Sequence, residues 1–373
     1  MKLALVHDYL TQLGGAEKVL QNFQGVFKES PVFVLVYDKR KMGRFLEGEQ
    51  IYTSWLQKMP WSRAKYQWYL SLMPLATESY GLSEYDVILS SASSFAKGVR
   101  AHKDALHICY CHTPTRYLWH DAGSYVRELG YNRLVKKVIP LFLERLRNWD
   151  LMAANRVNRF IANSQVVADR IFKYYGREAK VIYPPVETDK FFIAPKLENY
   201  FLIGGRLVAY KRYDLAVKAF NKLGIKLKVF GEGPEMNRLR KMAGNNIEFL
   251  GEVSDDKKAK LYSKCQAFIH PQTEDFGITA VEAMASGRPV IAYFDGGACE
   301  TVIPHQTGEF FEEQTWESLA DKIIDFDVNQ YSPMMIKKHA ERFSSARFQK
   351  EIKEYVEKEW GNFRLQRVFR IKR

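Results

Sequence analysis

At 373 residues, with 46% hydrophobic and 27% charged residues, the chain has ordinary globular composition and is too long for one typical domain; two domains are expected. A net charge of +13, spread over both halves, favours a phosphate-bearing partner: nucleic acid, anionic lipid or a phosphorylated substrate. Four cysteines, Cys109, Cys111, Cys265 and Cys299, are too few for a disulfide scaffold and read as cytosolic thiols. The opening apolar run is too short for a signal peptide, and no stretch approaches the ~20 apolar residues of a membrane span. These features point to a protein that is soluble or rests on a membrane surface.

The run Leu3–Val6 predicts a strand, followed by a glycine turn at Gly14-Gly15 and a helix over Ala16–Phe27. Strands are predicted at Pro31–Val36, Val87–Leu89, Leu106–Tyr110, Phe160–Ala162 and Val181–Tyr183. Arg133–Trp149 reads as a basic amphipathic helix, with Leu134, Val138, Leu141, Phe142 and Leu146 against Lys136, Lys137, Arg145 and Arg147, disturbed by Pro140. The alternation stops at Tyr183-Pro184-Pro185-Val186, because a Pro pair cannot continue a helix and fits poorly inside a sheet. It restarts with a strand at Tyr200–Ile203, a turn at Gly204-Gly205 and a helix near Arg212–Leu223. Strands follow at Lys226–Phe230, Ile247–Leu250, Ala267–Ile269 and Pro289–Ala292. Strand, turn, helix, strand, repeated on both sides of the linker, predicts two α/β domains with parallel sheets. Their bounds are 1–183 and 184–347, with a last helix over Phe348–Trp360 and a basic tail completing 348–373. Ligands of such sheets bind at the strand C-termini.

The sequence Pro271-Gln-Thr-Glu274-Asp-Phe-Gly277-Ile278-Thr279-Ala-Val-Glu282 follows a predicted strand ending at His270. A helix starting near Gly277 offers free backbone N–H groups and a positive dipole end, a ready site for a diphosphate. Glu274, before the helix, can reach a sugar hydroxyl; Glu282, more than a turn inside, can accept two hydrogen bonds from a cis-diol such as ribose. The plainer alternative is a strand-loop-helix with two solvated glutamates. Earlier, Gly204-Gly205-Arg206-Leu-Val-Ala-Tyr-Lys211-Arg212 puts two cations, Arg206 and Lys211, on a loop entering a helix. Arg can grip phosphate oxygens bidentately and Lys adds a point charge. The segment lacks the Gly-Lys-Ser/Thr ending of a Walker P-loop, and a solvated basic helix start is its plainer alternative.

Together, the Arg206–Lys211 pair and the E-x7-E element from Glu274 to Glu282 resemble the retaining glycosyltransferases of family 4. The opening Ala4-Leu-Val-His-Asp8 with Gly14-Gly15-Ala-Glu17, the segments Ile161-Ala-Asn-Ser164 and Gly296-Gly-Ala-Cys-Glu300, and coverage of residues 1–360 extend the likeness. Tyr110-Cys-His112-Thr-Pro-Thr-Arg-Tyr-Leu-Trp119 is similar to the WbaZ-type O-antigen mannosyltransferase subgroup. The resemblance implies a GT-B fold: two Rossmann-like α/β domains whose parallel sheets face across a cleft, with the last helix returning to the first domain. The N-terminal domain would bind acceptor and the C-terminal domain the nucleotide sugar. It implies that Arg206 and Lys211 stabilise the leaving diphosphate, Glu274 holds the transferred sugar, and Glu282 binds the ribose. Gly14 and Gly15 would let the first loop approach phosphates and acceptor. Gly205, Gly277, Ile278 and Thr279 would line the donor site, and His112 would touch the reacting sugar or acceptor. No metal or cofactor is needed, since fixed cations replace the metal of Asp-x-Asp enzymes. The implied donor is GDP-mannose and the implied acceptor a lipid-linked oligosaccharide of lipopolysaccharide O-antigen synthesis. The implied location is cytoplasmic and peripheral, at the inner face of the plasma membrane.

Weaker features have plainer readings. Asp325-Phe-Asp327 is a formal Asp-x-Asp, expected in a late amphipathic helix. His107, Cys109 and Cys111 share one strand face beside His112, but buried small thiols are the default there and the spacing differs from Cys-x2-Cys zinc pairs. Trp55–Trp61 and Tyr66–Leu70, with Lys58, Arg63 and Lys65, suggest contact with anionic lipid, as does the tail Phe363–Arg373. An epimerase of the same fold would need acidic and His chemistry that these motifs do not match. A nucleic-acid-binding protein would need a concentrated basic patch and a recognised module, and neither is present.

Overall fold

The computed structural model describes residues 1–43, 45–120 and 133–371. The chain divides into one unit of Met1–Tyr183 with Phe348–Arg373 and a second of Pro184–Arg347.

The first unit is built on β1 (Leu3–Leu10), β2 (Val32–Tyr37), β3 (Ile51–Thr53), β4 (Val87–Ala92), β5 (Leu106–Cys111), β6 (Arg159–Ala162) and β7 (Ala179–Val181). All pair in parallel in the order β3-β2-β1-β4-β5-β6-β7. Helices cover both faces, so the central strands are apolar almost throughout and buried along their length. Alternate residues then serve opposite faces. Leu3, Leu5, Leu89 and Ile108 pack with Val19, Leu20 and Phe23 of helix Gly15–Val26 and with Phe348, Ile352 and Val356 of helix Ser345–Ile371. Ala4, Val6, Ile88, Cys109 and Phe160 pack with Ala154 of helix Arg133–Arg156, with Val157 just beyond it, and with Val167 and Ile171 of helix Gln165–Tyr175.

The second unit repeats the scheme with β8 (Phe201–Gly204), β9 (Leu227–Phe230), β10 (Ile247–Gly251), β11 (Phe268–His270), β12 (Val290–Tyr293) and β13 (Gly308–Phe311). The order is β10-β9-β8-β11-β12-β13, again all parallel. Both sheets reverse direction of growth at one point, between β1 and β4 and between β8 and β11. That is where open α/β sheets hold their ligands.

The expectation of two parallel α/β sheets therefore holds. Edge strands β3 and β13 escaped prediction: each is short, and Tyr52 and Thr53 of β3 are exposed, so little apolar signal marks them. The helix expected around Asp325 ends earlier, at Ile324. Asp325 is its C-cap, and Asp327 caps the next short helix, accepting from the Asn329 N–H at 2.9 Å. Helix Arg133–Arg156 runs through Pro140, and the side chains of 133–141, with most of its expected apolar and basic faces, lie outside the described residues. So do those of 368–373 in the basic tail. Among the described residues no helix is long and apolar enough to cross a membrane.

Candidate active site

In the second unit, the loops after β8 and β11 bring the predicted residues together. Lys211 Nζ lies 2.8 Å from Glu274 Oε1, both largely buried. Arg206 is exposed and makes no ion pair among the described residues. Arg212, the second half of the Lys-Arg dipeptide, adopts the left-handed conformation (φ 53°) and is engaged by Asp214 at 3.3 Å and Gln314 at 3.1 Å. The structure thus separates the three cations: one held by a carboxylate of the site, one available, one bound to its surroundings.

Backbone packing makes this loop possible. A Cβ at Gly231 would sit 1.9 Å from the Gly205 carbonyl oxygen, and one at Gly233 2.2 Å from that of Leu207. Only glycine lets the two loops touch main chain to main chain. Gly205 itself (φ +129°) faces Tyr213 Oη, Lys211 Nζ and the Thr279 methyl, which lie 3.2, 3.5 and 4.0 Å from where its Cβ would be.

Helix Ile278–Ala285 starts from Gly277, whose φ of 87° places it in the left-handed region without a side-chain cap. The first-turn N–H groups, those of Ile278 and Thr279 included, therefore have no intrahelical acceptor. Glu282 lies one turn in and is buried; Lys258 Nζ donates to it at 3.1 Å and Tyr262 Oη at 3.2 Å. Burial alone would lower the Lys258 pKa, but Glu282 and Asp255 outweigh it and raise it, so the ammonium keeps its charge. The loop bearing Glu274 is braced from behind: the Gly297 N–H donates to the Glu274 carbonyl at 2.8 Å, and Thr273 Oγ1 donates to Asp295 at 2.8 Å.

Sequence reasoning missed four members of this site: Tyr213, Lys258, Tyr262 and His270. His270 closes β11 and is fully buried; Gln272 donates to its Nδ1 at 3.1 Å, and its Nε2, 4.0 Å from Glu274 Oε2, has no hydrogen-bond partner. Burial, opposed by Glu274 and assisted by Lys211, pulls its pKa down to about 4, so the ring is neutral at neutral pH. Tyr213 Oη and Thr279 Oγ1 are likewise buried without partners. Unsatisfied buried polar atoms are exceptional, and these three cluster here with a fourth, Gln272 Oε1. Tyr213 and His270 stand next to the two motifs in sequence, which was their only signal, whereas Lys258 and Tyr262 belong to another helix and had none.

In the first unit, Gly14 is the extended N-cap of helix Gly15–Val26, with no side-chain cap, and Gly15 is exposed. Asp8 is buried and accepts four backbone N–H groups, of Ser93, Ser94, Phe95 and Ala96, at 2.7–2.8 Å. It ties the end of β1 to the loop after β4. His112 follows β5, half-buried, its Nε2 2.8 Å from Ser91 Oγ. Burial, assisted by His7, lowers its pKa to about 3, so it too is neutral. The rest of the His112–Trp119 segment is anchored beneath: Thr115 Oγ1 and Trp119 Nε1 donate to Asp150 at 3.0 and 2.9 Å, and Lys97 Nζ lies 2.5 Å from the same carboxylate. His107 pairs with Ser90 Oγ at 2.8 Å, and burial pushes the Cys109 thiol up to about 12. No three potential metal ligands converge among the described residues. Further along the same unit, Trp55, Trp61 and Trp68 are exposed beside exposed Lys58, Arg63 and Lys65. Trp61, at 71% exposure, holds a φ of 56°, and Lys65 lies over the Trp68 ring at 4.4 Å.

Residues 13–190 match the model for Glycosyltransferase Family 4, and residues 186–344 that for Glycosyl transferases group 1. A GDP-mannose-dependent alpha-(1-6)-phosphatidylinositol monomannoside mannosyltransferase of Mycobacterium tuberculosis is 28% identical over 199 residues, 45% of this chain and 52% of that one. The alpha-1,3/1,6-mannosyltransferase ALG2 of Saccharomyces cerevisiae is 24% identical over 346 residues, 73% of this chain and 65% of that one. The chain spans only about half the length of most such curated relatives. Among solved structures, HepE of Anabaena in complex with UDP superposes with a TM-score of 0.70 at 19% identity, covering 96% of this chain and all of that one. These matches, one to each unit, place the chain among the family 4 glycosyltransferases with a GT-B fold.

Proposed function

We propose that the protein is a retaining, metal-independent glycosyltransferase that moves mannose from GDP-mannose to a lipid-linked saccharide in surface polysaccharide synthesis. The observation that carries this reading is the Lys211–Glu274 pair set beside the uncapped helix start at Gly277, with Arg206 available next to it. The donor diphosphate would take the N–H groups of Gly277, Ile278 and Thr279 and the charges of Arg206 and Lys211. Glu274 would hold the sugar and Glu282, oriented by Lys258 and Tyr262, the ribose. As the C1–O bond to the diphosphate breaks, negative charge grows on the leaving oxygen; cations and N–H groups already aimed there stabilise it without reorganising. The acceptor oxygen bonds to C1 on the same face and its proton passes to the diphosphate, so the anomeric configuration is kept.

The mannosyltransferase relatives support mannose, and the Mycobacterium enzyme's name supports GDP-mannose and a lipid acceptor. HepE in complex with UDP favours a second reading, a UDP-sugar donor at the same site. The exposed aromatic-basic segment Trp55–Trp68 supports work at the inner surface of an anionic membrane. Thermal stabilisation across a panel of nucleotide sugars tests the donor, because a bound ligand raises stability by mass action. GDP and GDP-mannose should raise Tm most. Selective stabilisation by UDP-sugars would replace the donor assignment, and no response to any nucleotide sugar would remove the reading.

A further inference from the structure

The two oxygens of the Glu274 carboxylate face different partners. Oε1 lies 2.8 Å from Lys211 Nζ, and Oε2 lies 4.0 Å from His270 Nε2, beyond hydrogen-bond reach. His270 closes β11 with no exposure to solvent, and its Nε2 lacks a hydrogen-bond partner, an exceptional state for a buried polar atom. Gln272 Nε2 donates to the other ring nitrogen, Nδ1, at 3.1 Å. An amide nitrogen has only hydrogens to offer, so Nδ1 of the neutral ring accepts and the ring proton sits on Nε2. Burial keeps the ring neutral, with a pKa pulled down to about 4. An unused donor therefore stands just short of a carboxylate oxygen. No Gly277 side chain fills the space beside them: a Cβ there would lie 3.2 Å from His270 Nε2 and 3.9 Å from Glu274 Oε2, and the φ of 87° favours glycine.

We infer that His270 is a positioning residue for Glu274, a second hydrogen-bond donor that closes on the carboxylate when Lys211 turns to a bound diphosphate.

A carboxylate that is only 16% exposed cannot lose its ammonium without cost, unless another donor takes its place. A shift of about 1 Å brings Oε2 within the usual N–H···O range of about 2.7–3.2 Å, and the last torsion of a glutamate side chain has a broad minimum that permits it. The new contact differs from the old one in two ways. His270 belongs to a strand inside the sheet, so it holds the carboxylate from a rigid element rather than from a loop. Its ring is neutral, so it steadies Glu274 without cancelling the charge that accepts a sugar hydroxyl. What displaces Lys211 rests on the proposed glycosyl transfer; the donor waiting beside Glu274 does not.

The test is 1H–15N NMR of histidine-labelled protein at neutral pH, with the His270 signal assigned by its loss in His270→Gln. Ligand-free wild type should show His270 protonated on Nε2 and not on Nδ1; the reverse overturns the inference. Lys211→Met removes the competing ammonium, so without ligand its Nε2–H proton should move downfield as Glu274 closes on it. An unmoved signal overturns the inference as well. GDP and UDP are then titrated into wild type. A nucleotide that raises Tm should produce the same downfield shift, and binding without it refutes the handover. If neither nucleotide binds while Lys211→Met shows the shift, the functional reading falls and the contact stands. Affinity separates positioning from packing. His270→Leu should weaken binding of the nucleotide sugar that wild type turns over by about tenfold to a hundredfold, the scale of a hydrogen bond to a charged group, and His270→Gln, which keeps an N–H donor, should recover most of it. In a Glu274→Ala background His270→Leu should cost nothing further, because it acts through Glu274. An equal loss in both backgrounds would overturn the positioning role, and if His270→Leu does not fold, the Lys211→Met spectrum decides.

Discussion

Lys211 Nζ sits 2.8 Å from Glu274 Oε1, so the cation expected on the leaving group and the carboxylate expected on the sugar hold each other in place. A donor entering between them would draw Lys211 to its diphosphate and release Glu274 to a hydroxyl. Neither residue must be ordered at the moment of reaction, which is the condition for strong electrostatic catalysis.

Replacing Lys211 or Arg206 with Ala should lower kcat by about 10²–10³-fold, the scale for removing a charge-stabilising donor. The two variants should differ in stability. Arg206 is exposed and makes no ion pair among the described residues, so Arg206→Ala should melt like the parent; Lys211→Ala removes a largely buried ion pair with Glu274 and should melt lower. Steady-state rates with thermal melts check both. If the cations do the work of a metal, excess chelator should leave the parent's rate unchanged.

Glu282→Gln should raise the donor KM severalfold with kcat nearly constant, because ribose contacts are equal in ground and transition states. It should also reduce stability by about 1–3 kcal/mol, since the Lys258 ammonium loses the buried one of its two facing carboxylates and keeps only exposed Asp255. A large fall in kcat at unchanged KM would assign Glu282 to the reacting centre instead.

Stability should fall in mild acid for a definite reason. Burial holds His107 and His112 down to about 3 and His270 down to about 4, whereas an unfolded His titrates near 6.5. Above about pH 6.5 both states are neutral and nothing is lost. Between about pH 6.5 and 4 the unfolded chain binds protons that the native state refuses, so stability declines as pH falls, by about 1.4 kcal/mol per pH unit for each such histidine. Urea titrations from pH 7 to 4.5 measure the slope, and His270→Asn should reduce it by one histidine's share.

The sequence made the sheets legible because central parallel strands are apolar on both faces: β1, β4, β5 and β8 stand out as runs. Edge strands β3 and β13 were not, since short half-exposed segments carry no such pattern. The motif residues of the second unit were legible because glycine turns and paired charges stand close in sequence. Lys258 and Tyr262 were not: they belong to another helix, and only the fold brings them to Glu282. His270 read simply as the end of a strand, and its unpartnered nitrogen appears only once the loop folds over it.

The segment Trp55–Trp68 should bind anionic vesicles and release them as salt rises, since exposed Lys58, Arg63 and Lys65 are screened. Trp61 tests this cleanly. A left-handed conformation costs a non-glycine residue about 1–2 kcal/mol, so Trp61→Gly should leave the fold as stable or slightly more so, yet weaken vesicle binding in a sedimentation assay. Undiminished binding, or equal binding to neutral vesicles, would remove this surface from the account.

The central claim is transfer with retention. Among the described residues, Glu274 is the carboxylate paired with Lys211 on the loops after β8 and β11, and that pairing engages it. In the proposed mechanism retention would be reached when the leaving diphosphate takes the acceptor proton on the same face, with Arg206, Lys211 and the helix start at Gly277 stabilising the charge that this requires. NMR of the anomeric proton and carbon of the product formed from an α-linked nucleotide sugar decides the matter: an α-linked product is what this site predicts, and a β-linked product would contradict it.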